Sequence, residues 1–358
     1  MSLKQEEKHI CDMKHIITHG ESFGDEISYY LDKFNMTQKE LAERLNLSIK
    51  HINSILNDDV QDVSISIIEA LEYAFNLEVG TLTEVFYIYT NRRLIKDKNK
   101  TVNLLNNYGL KFLIDNPDLA KMANICISND TSIDIKLMML KRFYGVSLLH
   151  NYDQYLKNTV LAEPFTYDCC NAKVWIRFCE LVAAEYNQNS GEVGIFRNSM
   201  FSSVFKKTIN IMAGNLPFDQ RIIQLKNYLL GKGIILITMP YIEGSNIRAI
   251  SLKKGARRYI FLSDKWNSEC YIFYSLLHEI VHCFNPNMSE EQINNTLLKE
   301  YHAWESNTTS KYKAIYDAIK TEENIKIVKQ RSPKIDTEYM WICITEQWPH
   351  VKFNKWSS

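Results

Sequence analysis

The sequence predicts a mainly helical α+β chain, on three observations. Apolar residues recur at helical spacing through most of residues 25–231. The 358-residue chain carries only 12 Gly and 7 Pro, few breakers for its length. After Gly231 and Gly233 the pattern changes to three short β-branched or aromatic runs, GIILITM, NIRAISL and RRYIFLSD, each bounded by turn residues. A helical bundle followed by a helical domain with a small sheet is the expected architecture.

Residues 1–24 read as a polar lead-in. From 25 to 92 the apolar positions group as Ile27, Leu31 and Phe34, then Leu41 and Leu45, then Ile52, Ile55 and Leu56, then Ile67, Ile68, Leu71 and Ala74. The charged stretch NRRLIKDKNK leads into a helical connector over 93–140, where Asn116 is placed to cap a helix with Pro117 at its first position. A second domain is expected over 141–320. Within it NAKVWIRFCELVAAEY lines up Val174, Trp175, Phe178, Leu181, Val182 and Tyr186 on one helix side, and the three strands follow. Helices are then expected at Asn267–Phe284, Glu290–Glu305 and Lys311–Ile319. The extension 321–358 holds one more strand-like run, TEYMWICITEQW.

MTQKELAERLNLSIKHINSILND has the layout of a helix-turn-helix. Thr37 and Glu40 form a capping-box pattern, Ala42 supplies a small residue at the helix contact, and Asn46-Leu-Ser is a short turn. Ser48 caps a second helix that turns Ile52 and Ile55 inward. Lys50, His51, Asn53 and Ser54 are then placed to meet base edges, with Gln38, Lys39 and Ser48 beside them. Charge speaks against easy DNA binding. Residues 21–90 hold 13 acidic and four basic side chains, a balance of −9, in a chain whose net charge is zero. Phosphate attraction supplies most non-specific affinity; a homodimer could still gather Lys39, Arg44 and Lys50 on one surface.

Composition excludes several other classes. At 46% hydrophobic and 23% charged residues the chain is globular. No run approaches the roughly 20 apolar residues of a membrane span, and the start lacks a basic-then-apolar export pattern, so a cytoplasmic location is expected. Eight cysteines without a CxxC pair favour reduced, buried thiols over disulfides or a cysteine metal site.

The chemistry concentrates in YSLLHEIVHCF. His278 and His282, four apart on a helix, share one face and can take two corners of a tetrahedral zinc. Glu279, one position on, can reach water at the metal and act as general base. By composition such a spacing arises by chance in about one sequence in a hundred. The flanking residues are almost wholly apolar, and burying two imidazoles and a carboxylate there costs several kcal/mol unless something satisfies them. For a third ligand the downstream stretch offers Glu300, His302 and Glu305, with Glu290 and Glu291 earlier. Tyr301 and His302 are the nearby groups able to steady an oxyanion. RRYIFLSD is expected to present an edge to which a peptide adds as a strand. A second HxxxH, His15–His19, sits in the polar lead-in, lacks the glutamate, and reads as solvated.

These residues also carry a resemblance. TQKELAERLNLS and SIIEALEYAFNL resemble the XRE-type helix-turn-helix of HigA-like antitoxin regulators. LKRFYGVSLL, KVWIRFCELVAAEYN, RRYIFLSDKW and YSLLHEIVHCF look like the ImmA/IrrE family of zinc metallopeptidases. The resemblance implies a zincin-like helical bundle on a small antiparallel sheet. It also implies one catalytic zinc on His278, His282 and Glu300, the last from Glu300-Tyr-His-Ala303, with Glu279 activating water. Its implied substrate is a repressor-type or other transcription-factor protein. The competing expectation is a non-catalytic regulator that uses a metallopeptidase-like domain for sensing or for partner contact.

Overall fold

The computed structural model describes residues 18–60, 62–95, 97–161, 169–189, 192–305, 324–325, 327–335 and 350–353. The chain forms two compact units, Met1–Leu149 and His150–Ser358. The stretch 93–140, read as a connector, thus belongs with the first unit, because the helix Ile133–Tyr144 packs on Thr81–Leu94. The helix expected at Lys311–Ile319, the strand-like run TEYMWICITEQW, His15, Cys11 and Cys343 lie outside the described residues.

In the first unit α1 (Phe23–Lys33), α2 (Gln38–Leu45), α3 (Ile49–Leu56), α4 (Ile65–Ala74) and α5 (Thr81–Leu94) enclose one core. Of the expected apolar stripes, Ile27, Leu41, Ile52, Ile55, Ile68 and Leu71 are each at most 2% exposed, whereas Phe34, at the end of α1, is 44% exposed. Thr37 caps α2 by accepting the Glu40 N–H at 3.1 Å. The reciprocal half of that capping box is missing, since Glu40 pairs with Arg44 at 2.7 Å instead. Ser48 caps α3 through the His51 N–H at 3.1 Å, and Asn46 takes the left-handed turn between the two helices. Buried Glu72 accepts the N–H groups of Gly80, Leu82 and Thr83, so one carboxylate serves the open donors at the start of α5.

Gly24 marks where α1 meets the end of α3. A Cβ there would stand 2.1 Å from the Leu56 carbonyl oxygen, and backbone cannot yield as a side-chain tip does. We expect Gly24→Ala to destabilise the full chain by about 1–3 kcal/mol, read as a lower urea midpoint. An unchanged midpoint would show that the contact is loose.

Among the described residues the first unit also holds α6 (Lys98–Asn107), α7 (Leu110–Asp115), α8 (Pro117–Met122) and α9 (Ile133–Tyr144). Pro117 opens α8 as expected, but Asn116 does not cap it. Its amide donates back to the Phe112 carbonyl at 2.9 Å.

The second unit contains α10 (His150–Thr159), α11 (Cys170–Asn189), α12 (Phe201–Met212), α13 (Phe218–Leu230), β1 (Ile234–Met239), β2 (Ala249–Lys254), β3 (Arg257–Ser263), α14 (Glu269–Phe284) and α15 (Glu290–Glu305). The three strands stand where their residues place them, in the order β1-β3-β2. The sheet is mixed where an antiparallel one is implied: β2 pairs antiparallel to β3, while β1 runs parallel to it. RRYIFLSD does not present an edge. Six consecutive residues of β3 are buried, the mark of a strand covered on both faces, and it takes the central place. The outer side of β2 carries Val160 and Leu161, which bridge to Leu252 and Ser251.

Across the sheet lies α14, with 14 of its 16 residues buried. A helix apolar on all sides is held by packing on every side, and β2, β3, α12 and α15 supply it. Arg258 closes its C-terminal end by donating to the Cys283 carbonyl at 3.2 Å.

Candidate metal centre

α14 and α15 form a hairpin joined by the five residues Asn285–Ser289. Ser289 and Gln292 start α15 with a reciprocal capping box: Ser289 N–H donates to Gln292 Oε1 at 2.9 Å, and Gln292 N–H to Ser289 Oγ at 3.4 Å. The short connection makes the helices antiparallel neighbours. The first turn of α15 thus faces the last turns of α14, and Glu290 is its first residue.

The result is a triangle of donor atoms. His278 Nε2 and His282 Nε2 stand 3.1 Å apart. Glu290 reaches both, with Oε2 at 3.2 Å from His278 and Oε1 at 3.3 Å from His282. A tetrahedral zinc with bonds of about 2.0–2.1 Å sets its donors roughly 3.3 Å apart, so the three separations fit such an ion. Among the described residues this is the one group of three His, Cys, Asp or Glu side chains close enough to share an ion.

The environment is graded. His282 is 2% exposed, His278 16% and Glu290 33%, so the site opens on the His278–Glu290 side. Hydrogen bonds from His278 and then His282 hold the Glu290 carboxyl well below the usual carboxylate range, against the opposing effect of burial. Glu279 is buried at 5% exposure, and its Oε2 has no hydrogen-bond partner among the described residues. A buried carboxylate oxygen left so is costly, and a reacting proton would satisfy it. Burial pushes the Cys283 thiol well up, and the charge on Glu279 adds to this. Cys283 therefore stays a protonated core residue beside the site.

Glu300, the ligand implied by resemblance, is not in the group. It lies ten positions beyond Glu290 on the same continuous helix, a rise of about 15 Å and a turn of roughly 80° to another face. Glu291, the other early carboxylate, is exposed. Tyr301 and His302 are equally far along: Tyr301 is wholly buried in the core and His302 is exposed, so neither stands at the donors. Glu290 was legible as one of several carboxylates. What singles it out is the five-residue hairpin connection, which brings first-turn positions back to the histidines. His19, the described half of the other histidine pair, is not solvated as expected. Its Nδ1 is 2.7 Å from buried Glu26 and its ring stacks on Tyr29.

On the helix-turn-helix, Gln38, Lys39, Ser48, Lys50 and Asn53 are exposed. His51 and Ser54 are only half-buried, because they stand at the margin of the Ile52–Ile55 face. His51 Nε2 is shielded, and the Ser54 hydroxyl donates to the Lys50 carbonyl at 3.0 Å. The cations are largely engaged. Arg44 pairs with Glu40 at 2.7 Å, Lys39 with Glu43 at 4.0 Å, and Lys33 lies over aromatic rings.

No helix among the described residues is long and apolar enough to cross a membrane. Neither curated proteins nor solved structures give a match to the chain. Residues 27–82 match the family described as helix-turn-helix, a span running from within α1 to the start of α5. The first unit therefore carries a helix-turn-helix domain, the architecture of DNA-binding regulators.

Proposed function

We propose that the chain is a zinc-dependent endopeptidase joined to a helix-turn-helix regulatory domain, with a repressor-type or other transcription-factor protein as its substrate. The observation that carries this reading is the donor triangle of His278, His282 and Glu290 beside a buried, partly unsatisfied Glu279. Two imidazoles and one carboxylate leave a fourth position open, the arrangement of catalytic zinc centres.

Zinc held there would supply a Lewis acid that polarises a peptide carbonyl and makes water acidic near neutral pH. Glu279 takes the proton of the attacking water as the new C–O bond forms. It returns that proton to the leaving nitrogen as the C–N bond breaks, so it ends as it began. Burial of Glu279 among apolar neighbours keeps bulk water from competing for that proton. The half-buried Glu290 flank, the more open side of the site, is the side by which a peptide can enter.

The test is zinc analysis of the full chain together with hydrolysis of a random quenched-fluorescent peptide library. One zinc per chain with turnover supports the reading. One zinc with no cleaved peptide would favour the sensing alternative, and a chain that takes up no zinc would end the peptidase reading and leave only the partner-contact form of the alternative.

DNA contact by the first unit is part of the same proposal, through Lys50 and Asn53 with Gln38, Lys39 and Ser48 at the backbone. Each phosphate neutralised contributes about −0.9 to the slope of log K against log salt. With Lys39 and Arg44 held by glutamates, a shallow slope is expected on a duplex selected from a random pool. Lys50→Ala lowers it by about one, and Asn53→Ala relaxes base preference. A steep slope of six or more that Lys50→Ala leaves untouched would place the contact surface elsewhere.

A further inference from the structure

One turn away from the donors, each arm of the α14–α15 hairpin carries a polar residue. Tyr274 precedes His278 by four positions, and Asn294 follows Glu290 by four. The Tyr274 hydroxyl donates to Asn294 Oδ1 at 3.2 Å. The Tyr274 side chain is 3% exposed, and its ring centroid lies 6.2 Å from that of His278. On another side the guanidinium of Arg248, next to the start of β2, stands 5.9 Å from the same ring. One side chain thus meets the first histidine, the helix that bears the carboxylate, and the approach to the sheet.

Two features give that contact a task. The rest of the hairpin seam is apolar, with Ile293, Leu297 and Tyr301 of α15 sharing a core with Leu277, Ile280 and Val281 of α14. Apolar packing is non-directional and leaves rotation and sliding of α15 less defined than a hydrogen bond does. Further, a ligand histidine is ordinarily oriented by a hydrogen bond from its second ring nitrogen. His278 Nδ1 has no such partner among the described residues, so its ring depends on neighbours such as Tyr274.

We infer that Tyr274 and Asn294 are positioning residues that hold α15 in the register at which Glu290 completes the donor triangle and that keep the His278 ring turned toward it. The inference rests on the proposed metal site. Neither residue touches the donors' reacting space, so their effect passes through Glu290 and His278.

The experiment is zinc titration of the full chain against a chromophoric chelator, with Co2+ spectra of the same samples. It compares wild type, Tyr274→Phe, Asn294→Ala and the double variant. Each single change is expected to weaken zinc about tenfold, the lower end for groups supporting a metal ligand, and to weaken the visible Co2+ bands of four-coordination. The double variant should be no worse than either single one, because one contact is lost in all three. The metal-free thermal midpoint of Tyr274→Phe, which keeps the buried ring, should fall by no more than the few degrees that one lost hydrogen bond costs. Wild-type zinc affinity in both single variants, or losses that add in the double, would overturn the inference and leave the metal site standing. Absence of zinc binding in the wild type would remove the metal site, and this inference with it.

Discussion

Replacing Glu279 by Gln is expected to lower peptide hydrolysis by about 10²–10⁴-fold, the range associated with a positioned general base, while zinc content stays at wild type. The amide matches the carboxylate in shape, so the packing of α14 is kept, and Glu279 is not among the three donors. What it cannot do is accept the proton. A second effect has the opposite sign. Glu279 is 5% exposed and its Oε2 lacks a partner among the described residues, so a buried carboxyl oxygen there goes without a hydrogen bond. Replacing that carboxyl by an amide of the same shape is expected to raise the thermal midpoint of the metal-free chain or leave it level. Activity lost with stability gained is the pattern of a group retained for chemistry. Zinc-loaded Glu279→Gln that still cleaves at the wild-type rate would remove Glu279 from the mechanism.

The sequence was most readable where one local rule decides. Ser48 before an apolar-periodic run is a cap, and it caps α3. Gly233 followed by a short β-branched apolar run gives β1, and RRYIFLSD gives β3. His278 and His282 share a face because four residues make about one turn. The readings that changed depend on contacts between elements far apart in sequence. The place of β3 at the sheet centre follows from having cover on both faces, which no strand reveals by its own composition when apolar runs also occur in buried helices. Glu40 could reach back to its cap or forward to Arg44, and the salt bridge prevailed. Asn116 had two local carbonyl and amide choices and took the carbonyl behind it. The helix-turn-helix is legible in its caps and turn, but composition gives only the net charge and not the pairing of Lys39 and Arg44 with their own helix's glutamates. Geometry turns that balance into a statement about which cations remain for phosphate.

The largest expected loss of metal belongs to Glu290. Glu290→Ala removes one of three protein donors and should weaken zinc by more than the roughly 10–100-fold typical of supporting partners, whereas Glu300→Ala should bind zinc as the wild type does. The contrast is sharp because both residues are glutamates of one helix, α15, so net charge changes alike. Their difference is position: Glu290 oxygens stand 3.2 and 3.3 Å from the two imidazoles, and Glu300 lies about 15 Å farther along the axis. No small rotation of α15 can exchange them, since a rotation that hides Glu290 does not shorten that rise. Glu290→Gln refines the comparison by keeping one oxygen donor without the charge, and an intermediate affinity is expected. If zinc instead follows Glu300, the hairpin must be rebuilt when metal binds, with α15 sliding by several turns past Ile293 and Leu297, two residues of the core. The test therefore decides between a site already assembled by a five-residue turn and a site made by the ion itself.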